Sequence, residues 1–429
     1  MNSRLLLLLC LFSFQSLLFA DSRDDDILGS SPSSSTTDEL ASRNSSFAES
    51  NLLIGGRLQL ETSSLRGLGA EKMLPSQQNL FYLHVDARPN EEVRAFIRAR
   101  ILDNNSALSS QQGTQISIDQ SWIKTNLNKK FFLTLGRQHV KWGVGKFWNP
   151  TDFLREIKDP FASYDKRLGS DLIKMHYPLE KENSNFYAIM DFNHLSTQGD
   201  PGFAWRAEWL KKQTEFSFSL YSRQNAPIRL AADFSSGLDD FDIYSELVLS
   251  TQNRNLFYRK RAGGDFEAYE RKNEMIAQGL FGLSYIKQYS DEDSVTLGFE
   301  YFYNDLGHDE RELELLAFMT RQASPLYLGK HYAGLYAMFP YPGSWNHSSI
   351  FINTLGNLTD QSAFSRVSLQ HELNREILVD LWVSASWGAK GEFRYRIPES
   401  SVPIGSDQGS PLLVSSLDRA LGVTLSMHF

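Results

Sequence analysis

The chain of 429 residues has a single cysteine, Cys10. It falls within the first twenty residues, 1–20, which read as a secretory signal peptide. Arg4 supplies positive charge, Leu5–Leu9 and Leu11–Leu18 are mostly apolar, and Leu18-Phe19-Ala20 offers a small residue before polar Asp21. That apolar core is too short to persist as a spanning helix. A lipoprotein signal built on Cys10 is the weaker rival, because three leucines precede the cysteine where a small residue is wanted. Once the signal is removed, no thiol remains to mispair in an oxidising compartment. The rest of the chain lacks any apolar run of about 18 residues, which excludes a membrane-spanning helix. It also lacks a basic cluster, and its net charge of −8 argues against nucleic acid as a partner. No Gly-x-Ser-x-Gly elbow is present, and no two histidines flank a glutamate at helical spacing. Neither a metal nor a cofactor is therefore expected.

What is abundant is aromatic side chains, 29 Phe, 17 Tyr and 8 Trp, in a chain that is hydrophilic on average. A large soluble β-protein has that mix, and so does a membrane barrel whose strands are apolar on one face only. Residues 21–50 carry Asp24-Asp25-Asp26 and Ser30-Ser31-Pro32-Ser33-Ser34-Ser35 with few bulky apolar residues. Such a segment buries too little surface to offset its ordering entropy and reads as a periplasmic linker.

From Leu52 onward the period is two. Phe81, Leu83, Val85 and Ala87 alternate with Tyr82, His84, Asp86 and Arg88. Val295, Leu297, Phe299, Tyr301 and Tyr303 alternate with Thr296, Gly298, Glu300, Phe302 and Asn304. Each segment thus has an oily wall and a wetter one, over about ten residues, the length of a tilted membrane strand. Residues 114–127 and 274–288 break phase, through bulges or through bulky lumen residues. Eighteen such segments can be placed, with sixteen as the alternative count. Tight links such as Pro89–Glu91, Asn128–Lys129 and Lys212–Gln213 follow even-numbered strands. The long gaps Ser63–Gln78, His139–Gly169, Thr251–Asn273, Asp305–Lys330 and Gly388–Ser416 all follow odd-numbered ones. That sorting suits a closed antiparallel transmembrane β-barrel over 51–429, with short periplasmic turns and long outer loops. Within one outer loop, Glu310–Arg321 has an apolar stripe at helical spacing.

At the end of the chain, Leu421, Val423, Leu425, Met427 and Phe429 share one face. Gly422, Leu425, Met427 and Phe429 resemble the terminal assembly signal of bacterial outer-membrane proteins. The resemblance implies the outer membrane of a Gram-negative-type bacterium, with its lipid and the barrel assembly machinery as partners.

The longest non-strand segment opens with GRQHVKWGVGKFWNPTDF, Gly136–Phe153. Gly136, Arg137, Gln138, Trp142, Gly143, Asn149, Pro150 and Asp152 resemble the Gly-Arg-Gln, Trp-Gly and Asn-Pro-x-Asp signature of a group of porin-like outer-membrane proteins in the broad alginate-export and porin assemblage. The resemblance covers about twenty residues plus the strand pattern. In general porins the loop after the fifth strand folds inward as the constriction, which implies the same for residues 139–169. The residues suit that role. Gly143 and Gly145 permit sharp turns, Asn149-Pro150 starts a turn that Asp152 can brace, and Trp142, Phe147 and Trp148 can anchor the loop to the wall. Arg137, His139, Lys141 and Lys146 would bring positive charge to a narrow place. The alternative for Arg137 and Asp152 is that they pair with each other and hold the loop.

Arg94, Arg98 and Arg100 occupy the wetter face of one strand, and Arg206 and Arg366 the polar phase of theirs. Together they would form a basic ladder favouring anions. Wall carboxylates such as Asp86, Asp119, Glu208, Glu215 and Glu300 would neutralise it, and both outcomes stay open. The expected function is that of a non-enzymatic channel, a porin, for passive diffusion of small hydrophilic or anionic solutes. Two other classes are weighed against it. A barrel enzyme would draw on His84, His139, His194, His308, His331 or His371, and a structural or adhesive barrel would use the long loops. The transported solute, gating and oligomeric state are not legible.

Overall fold

A computed structural model describes residues 51–68, 71–106, 113–128, 130–154, 168–193, 200–251, 253, 255–290, 293–320, 322–395 and 417–429. The expected signal peptide and linker lie outside the described residues. The strands in chain order are β1 (Leu52–Gly67), β2 (Leu74–Asn90), β3 (Val93–Ser106), β4 (Gly113–Leu127), β5 (Phe131–Gln138), β6 (Ser170–Leu179) and β7 (Ser184–Asp191). Then follow β8 (Gly202–Lys211), β9 (Thr214–Arg223), β10 (Ile228–Leu238), β11 (Phe241–Thr251), β12 (Leu256–Lys260), β13 (Phe266–Glu270) and β14 (Ile276–Gln288). The last are β15 (Ser294–Asn304), β16 (His331–Pro340), β17 (Ser348–Asn357), β18 (Ser362–Glu372), β19 (Ile377–Gly388) and β20 (Leu417–His428).

All but β12 and β13 form one 18-stranded antiparallel sheet, in which each strand pairs with its neighbours in sequence. The sheet closes because β20 pairs with β19 on one side and with β1 on the other, from Arg57↔His428 to Gly67↔Leu417. Closure is what a membrane demands, since hydrocarbon offers no partner to an open edge. Phe429 completes the seam. Its N–H donates to Gly56 O (3.1 Å), its O accepts from Gly56 N (2.9 Å), and its ring stacks on Phe81 at 6.1 Å. Deleting Phe429 removes both bonds and a stack worth about 0.5–1.5 kcal/mol. The expected result is a lower folded fraction in membranes, read as loss of the heat-modifiable band on a gel.

The two-residue rhythm sorts side chains as a barrel requires. Leu381, Val383, Leu421, Val423 and Leu425 are exposed on the outside, whereas Ser384, Ala420, Thr424 and Ser426 face in and are buried. Gly422 also faces inward, where a Cβ would meet the Trp382 indole at 2.6 Å. At the short-turn end, outward aromatic rings pair across strands. Phe131 stacks on Tyr177 (4.7 Å), Phe216 meets Phe234 (6.2 Å), and Phe241 meets Tyr285 (4.7 Å). Such rings form the girdle at a membrane interface. Several tight turns at this end carry a left-handed residue, Asn128, Asn183, Lys212 and Asp239, which suits the twist of the flanking strands.

Two sequence expectations are corrected, and the two phase breaks resolve one to each of the causes offered for them. The gap expected at Ser63–Gln78 shrinks, because β1 and β2 keep pairing up to Leu65↔Leu74. The phase break in β4 is a bulge opposite Arg98/Ala99, whereas β14 stays in register and carries bulky Leu280 inward instead. The loop after β11 holds a hairpin, β12–β13, that the sequence reading passed over. The expected loop helix is present as α1 (Arg311–Met319), whose Leu313 and Ala317 pack on Tyr258 of β12.

Candidate functional site

The loop after β5 folds into the barrel. Val140, Trp142, Phe153 and Leu154 are buried against inward residues of six consecutive wall strands: Leu172, Ile189, Ala204, Tyr221, Ala231 and Val248. Phe147 and Trp148 continue around the wall onto Tyr244, Leu280, Phe302, Tyr332, Leu355 and Phe364. Trp148 is fully buried, stacked on Phe302 at 5.6 Å, and its Nε1 donates to Leu326 O (3.2 Å) of the loop that carries α1. Burial of each such ring contributes about 1.5–3 kcal/mol. Leu326 and Phe393, from two other outer loops, join the same cluster. The apolar contacts of the loop thus run from β6 to β18, and β19, β20 and β1–β4 contribute nothing to these two clusters.

Two buried glutamates hold the loop by its backbone. Glu246 of β11 accepts from Val144 N (2.7 Å), Gly145 N (2.8 Å), Thr151 N (3.0 Å) and Thr151 Oγ1 (2.7 Å). Glu300 of β15 accepts from Lys146 N, Phe147 N (2.8 Å) and the Tyr244 hydroxyl (2.8 Å). Consecutive N–H groups curled around a carboxylate make a nest, here closed on an anion the wall provides. The curl needs both loop glycines. Gly143 has φ +87°, and a Cβ there would lie 2.6 Å from Glu246 Oε1; a Cβ on Gly145 would lie 1.9 Å from Trp148 O. The Asn149-Pro150 turn closes with Asp152 N donating to Asn149 O (3.1 Å). Glu300 is therefore spent on the loop and does not neutralise the ladder. Thr151, which sequence reasoning missed, binds Glu246 through both N–H and hydroxyl.

The charged residues divide. Arg137 is a correction: it shares the outward row with exposed Phe131 and Leu135 and forms a two-point ion pair with Asp171 of β6 (2.8 and 2.6 Å). It neither lines a constriction nor pairs with Asp152. His139 hydrogen bonds Asp119 (3.0 Å), which also pairs with Arg98, so the start of the loop is tied to the arginine wall. Lys141 and Lys146 are half-buried, with Lys146 Nζ 6.0 Å from the Tyr244 ring.

Arg94, Arg98 and Arg100 share the inward row of β3, opposite exposed Ile97 and Ile101. Arg94 pairs with Asp86 (2.9 Å) and lies over Trp122; Arg98 binds Asp119 (2.6 Å) and lies over Tyr82. Arg366 lies over Trp382, 3.6 Å from Asp380. Arg57 of β1, absent from the expected ladder, faces inward and donates to Ser426 Oγ (3.4 Å). Arg206 is a second correction. It is 2% exposed, covered by Trp142, and neutralised by Asp233 (2.8 and 3.0 Å) and Glu208 (2.7 Å), so it is a structural anchor beneath the loop.

The histidines weighed for an enzyme take other partners. His331 meets the Tyr301 hydroxyl (2.6 Å), and His308 accepts from Tyr258 N (3.3 Å). Ser348 and His371 are 2.9 Å apart at the periplasmic rim, but among the described residues no carboxylate is hydrogen bonded to His371 to orient it as a base. His194 lies outside the described residues. Among the described residues no group of acidic, histidine or cysteine side chains is arranged to hold a metal ion.

No family model matches the chain, and no curated protein matches it. Among solved structures, OccAB1 of Acinetobacter baumannii is similar at a TM-score of 0.54 and 11% identity, covering 89% of this chain and 98% of that one. A variant of OccD1 (OprD) is similar at 0.51 and 7%, covering 88% and 95%. At these identities the likeness is one of fold. Together with the closed even-stranded sheet and its apolar outer wall, it makes this chain an outer-membrane β-barrel.

Proposed function

We propose that the chain is a channel for passive diffusion of small hydrophilic solutes, with its route along the inner wall of β19, β20 and β1–β4. One observation carries this reading: the inward loop packs its apolar side against the opposite arc, whereas the remaining arc keeps a polar inner row. The likeness of Gly136–Asp152 to the porin-like signature supports a pore-narrowing loop. On that arc Arg94 and Arg98 face Asp86 and Asp119, and at its edge Arg366 of β18 faces Asp380 of β19. Guanidinium and carboxylate side by side give a field that alternates over a few ångströms, and such a field falls off faster than that of a single sign. The anion preference is therefore weak in this reading, and polar or zwitterionic solutes suit the route. Pure folded protein in a planar bilayer should give discrete conductance steps, with a reversal potential in a salt gradient close to zero. Arg98→Ser leaves Asp119 without its guanidinium and should tilt selectivity toward cations. A barrel that never steps, or one strongly selective for either sign, defeats this reading.

A further inference from the structure

Two inward arginines at the outer end of β9 and β10 stand apart from the ladder. Arg229 pairs across the sheet with Tyr221, and Arg223 lies two residues beyond Tyr221 on the same face. Diagonal neighbours of this kind have Cβ atoms roughly 7–8 Å apart, and two like charges so placed repel unless an anion joins them. Among the described residues neither arginine forms an ion pair. Nε and Nη1 of Arg223 are shielded from solvent and make no hydrogen bond. Arg229 lies over the rings of Phe153 (5.6 Å) and Tyr221 (6.0 Å).

Among the described residues, the carboxylates on the inner row of the neighbouring strands have other partners. Asp191 accepts from the Tyr221 hydroxyl (2.9 Å) and Asn193 N (3.0 Å), and Asp233 is held by Arg206. A short connection joins the two strands here, in which Ala226 N donates to Arg223 O (3.2 Å). Their floor is the apolar cluster of Trp142, Phe153 and Tyr221, so the site is a ledge over the closed side of the lumen and not a step along the open arc.

We propose that Arg223 and Arg229 form an anion-binding ledge at the outer mouth, which takes the carboxylate or phosphate group of a dissolved solute. Both side chains are on the inner row, so the source is solution and not lipid headgroups. Guanidinium N–H groups suit an oxyanion, and the aromatic floor suits the carbon skeleton behind it. The proposal rests on the channel reading for its purpose, but binding is measured without conduction, so the two fail separately. The test is calorimetric titration of inorganic phosphate, and separately of succinate, into the folded barrel in neutral detergent at low salt. Wild type should bind at least one of them saturably, more weakly as salt is added. The double variant Arg223→Gln/Arg229→Gln should lose about tenfold or more in affinity. Arg259→Gln, on the exposed β12–β13 hairpin, should bind as wild type. Should the double variant misfold, Arg223→Lys keeps the charge but loses the planar guanidinium, and should bind severalfold more weakly. No saturable binding by wild type, or undiminished binding by these variants, overturns the ledge.

Discussion

Replacing Glu246 by alanine is expected to free the inward loop from the wall and raise single-channel conductance severalfold. The carboxylate accepts four hydrogen bonds, three of them from loop backbone N–H groups. Hydrogen bonds to a charged acceptor contribute about 1.5–3 kcal/mol each, and every buried N–H left unpaired costs about 1–3 kcal/mol. The stripped loop can recover that cost only by moving out to water. Two features localise the effect. The β11 ladder to β10 and β14 is made by backbone, so the barrel should keep its heat-modifiable mobility. Glu300 still grips Phe147, so Glu300→Ala added to Glu246→Ala should release the loop further. Glu246→Gln keeps the volume but turns one oxygen into a donor facing donors, and should give an intermediate channel. Conductance unchanged in Glu246→Ala would place the narrowest part of the route elsewhere.

The loop-holding role of these two carboxylates was not legible in the sequence, where Glu300 stood out only as a wall carboxylate facing the arginines. Glu246 and Glu300 occupy the polar phase of ordinary strands, and nothing local separates them from Glu208, which pairs with Arg206. Their role depends on where a loop about 100 to 150 residues away comes to rest, a non-local fact. The barrel itself was legible because its cause is local and repeated. Hydrocarbon outside and water inside force a period of two on every strand, and Phe429 marks the seam. The outward position of Arg137 was also readable, since it is two residues from Leu135 and therefore on the same face. Its place in a Gly-Arg-Gln signature drew it toward the loop instead. The β12–β13 hairpin escaped because it lies above the membrane, where no lipid enforces alternation.

Alkaline pH is expected to undock the outer loops from the mouth of the barrel. Glu314 of α1, Asp360 beyond β17 and Glu392 of a short helical turn converge in one buried cluster. Asn357 Nδ2 donates to Glu314 (3.2 and 3.3 Å) and to Glu392 (3.0 Å), the Tyr332 hydroxyl donates to Glu392 (2.7 Å), and Glu392 N donates to Asp360. Tyr395, bonded to Arg311 O (2.7 Å), packs at the edge. Burial, reinforced by the Asp360 and Glu392 carboxylates, pushes Glu314 up to about 10; burial likewise pushes Glu392 up to about 8, against the pull of its hydrogen bonds. Both values are raised above the ordinary carboxylate value of 4.5, so the docked state holds protons that the undocked state releases. Docking is then fully favourable below the ordinary value and weakens as pH climbs through about 8 and on toward about 10. Every tenfold difference in proton affinity between the docked and undocked states corresponds to about 1.4 kcal/mol, which makes the loss several kcal/mol in order of magnitude. Because Leu326 N also donates to Glu392 and Leu326 covers Trp148, undocking should uncover that indole. Quenching of tryptophan fluorescence by acrylamide should therefore rise across this window, alongside faster proteolysis within 305–330. Glu314→Gln keeps the shape without the titration and should flatten the upper part of the profile, leaving the Glu392 step. A profile in Glu314→Gln identical to that of wild type would remove Glu314 as a cause, since no other carboxylate on α1 is buried against the barrel.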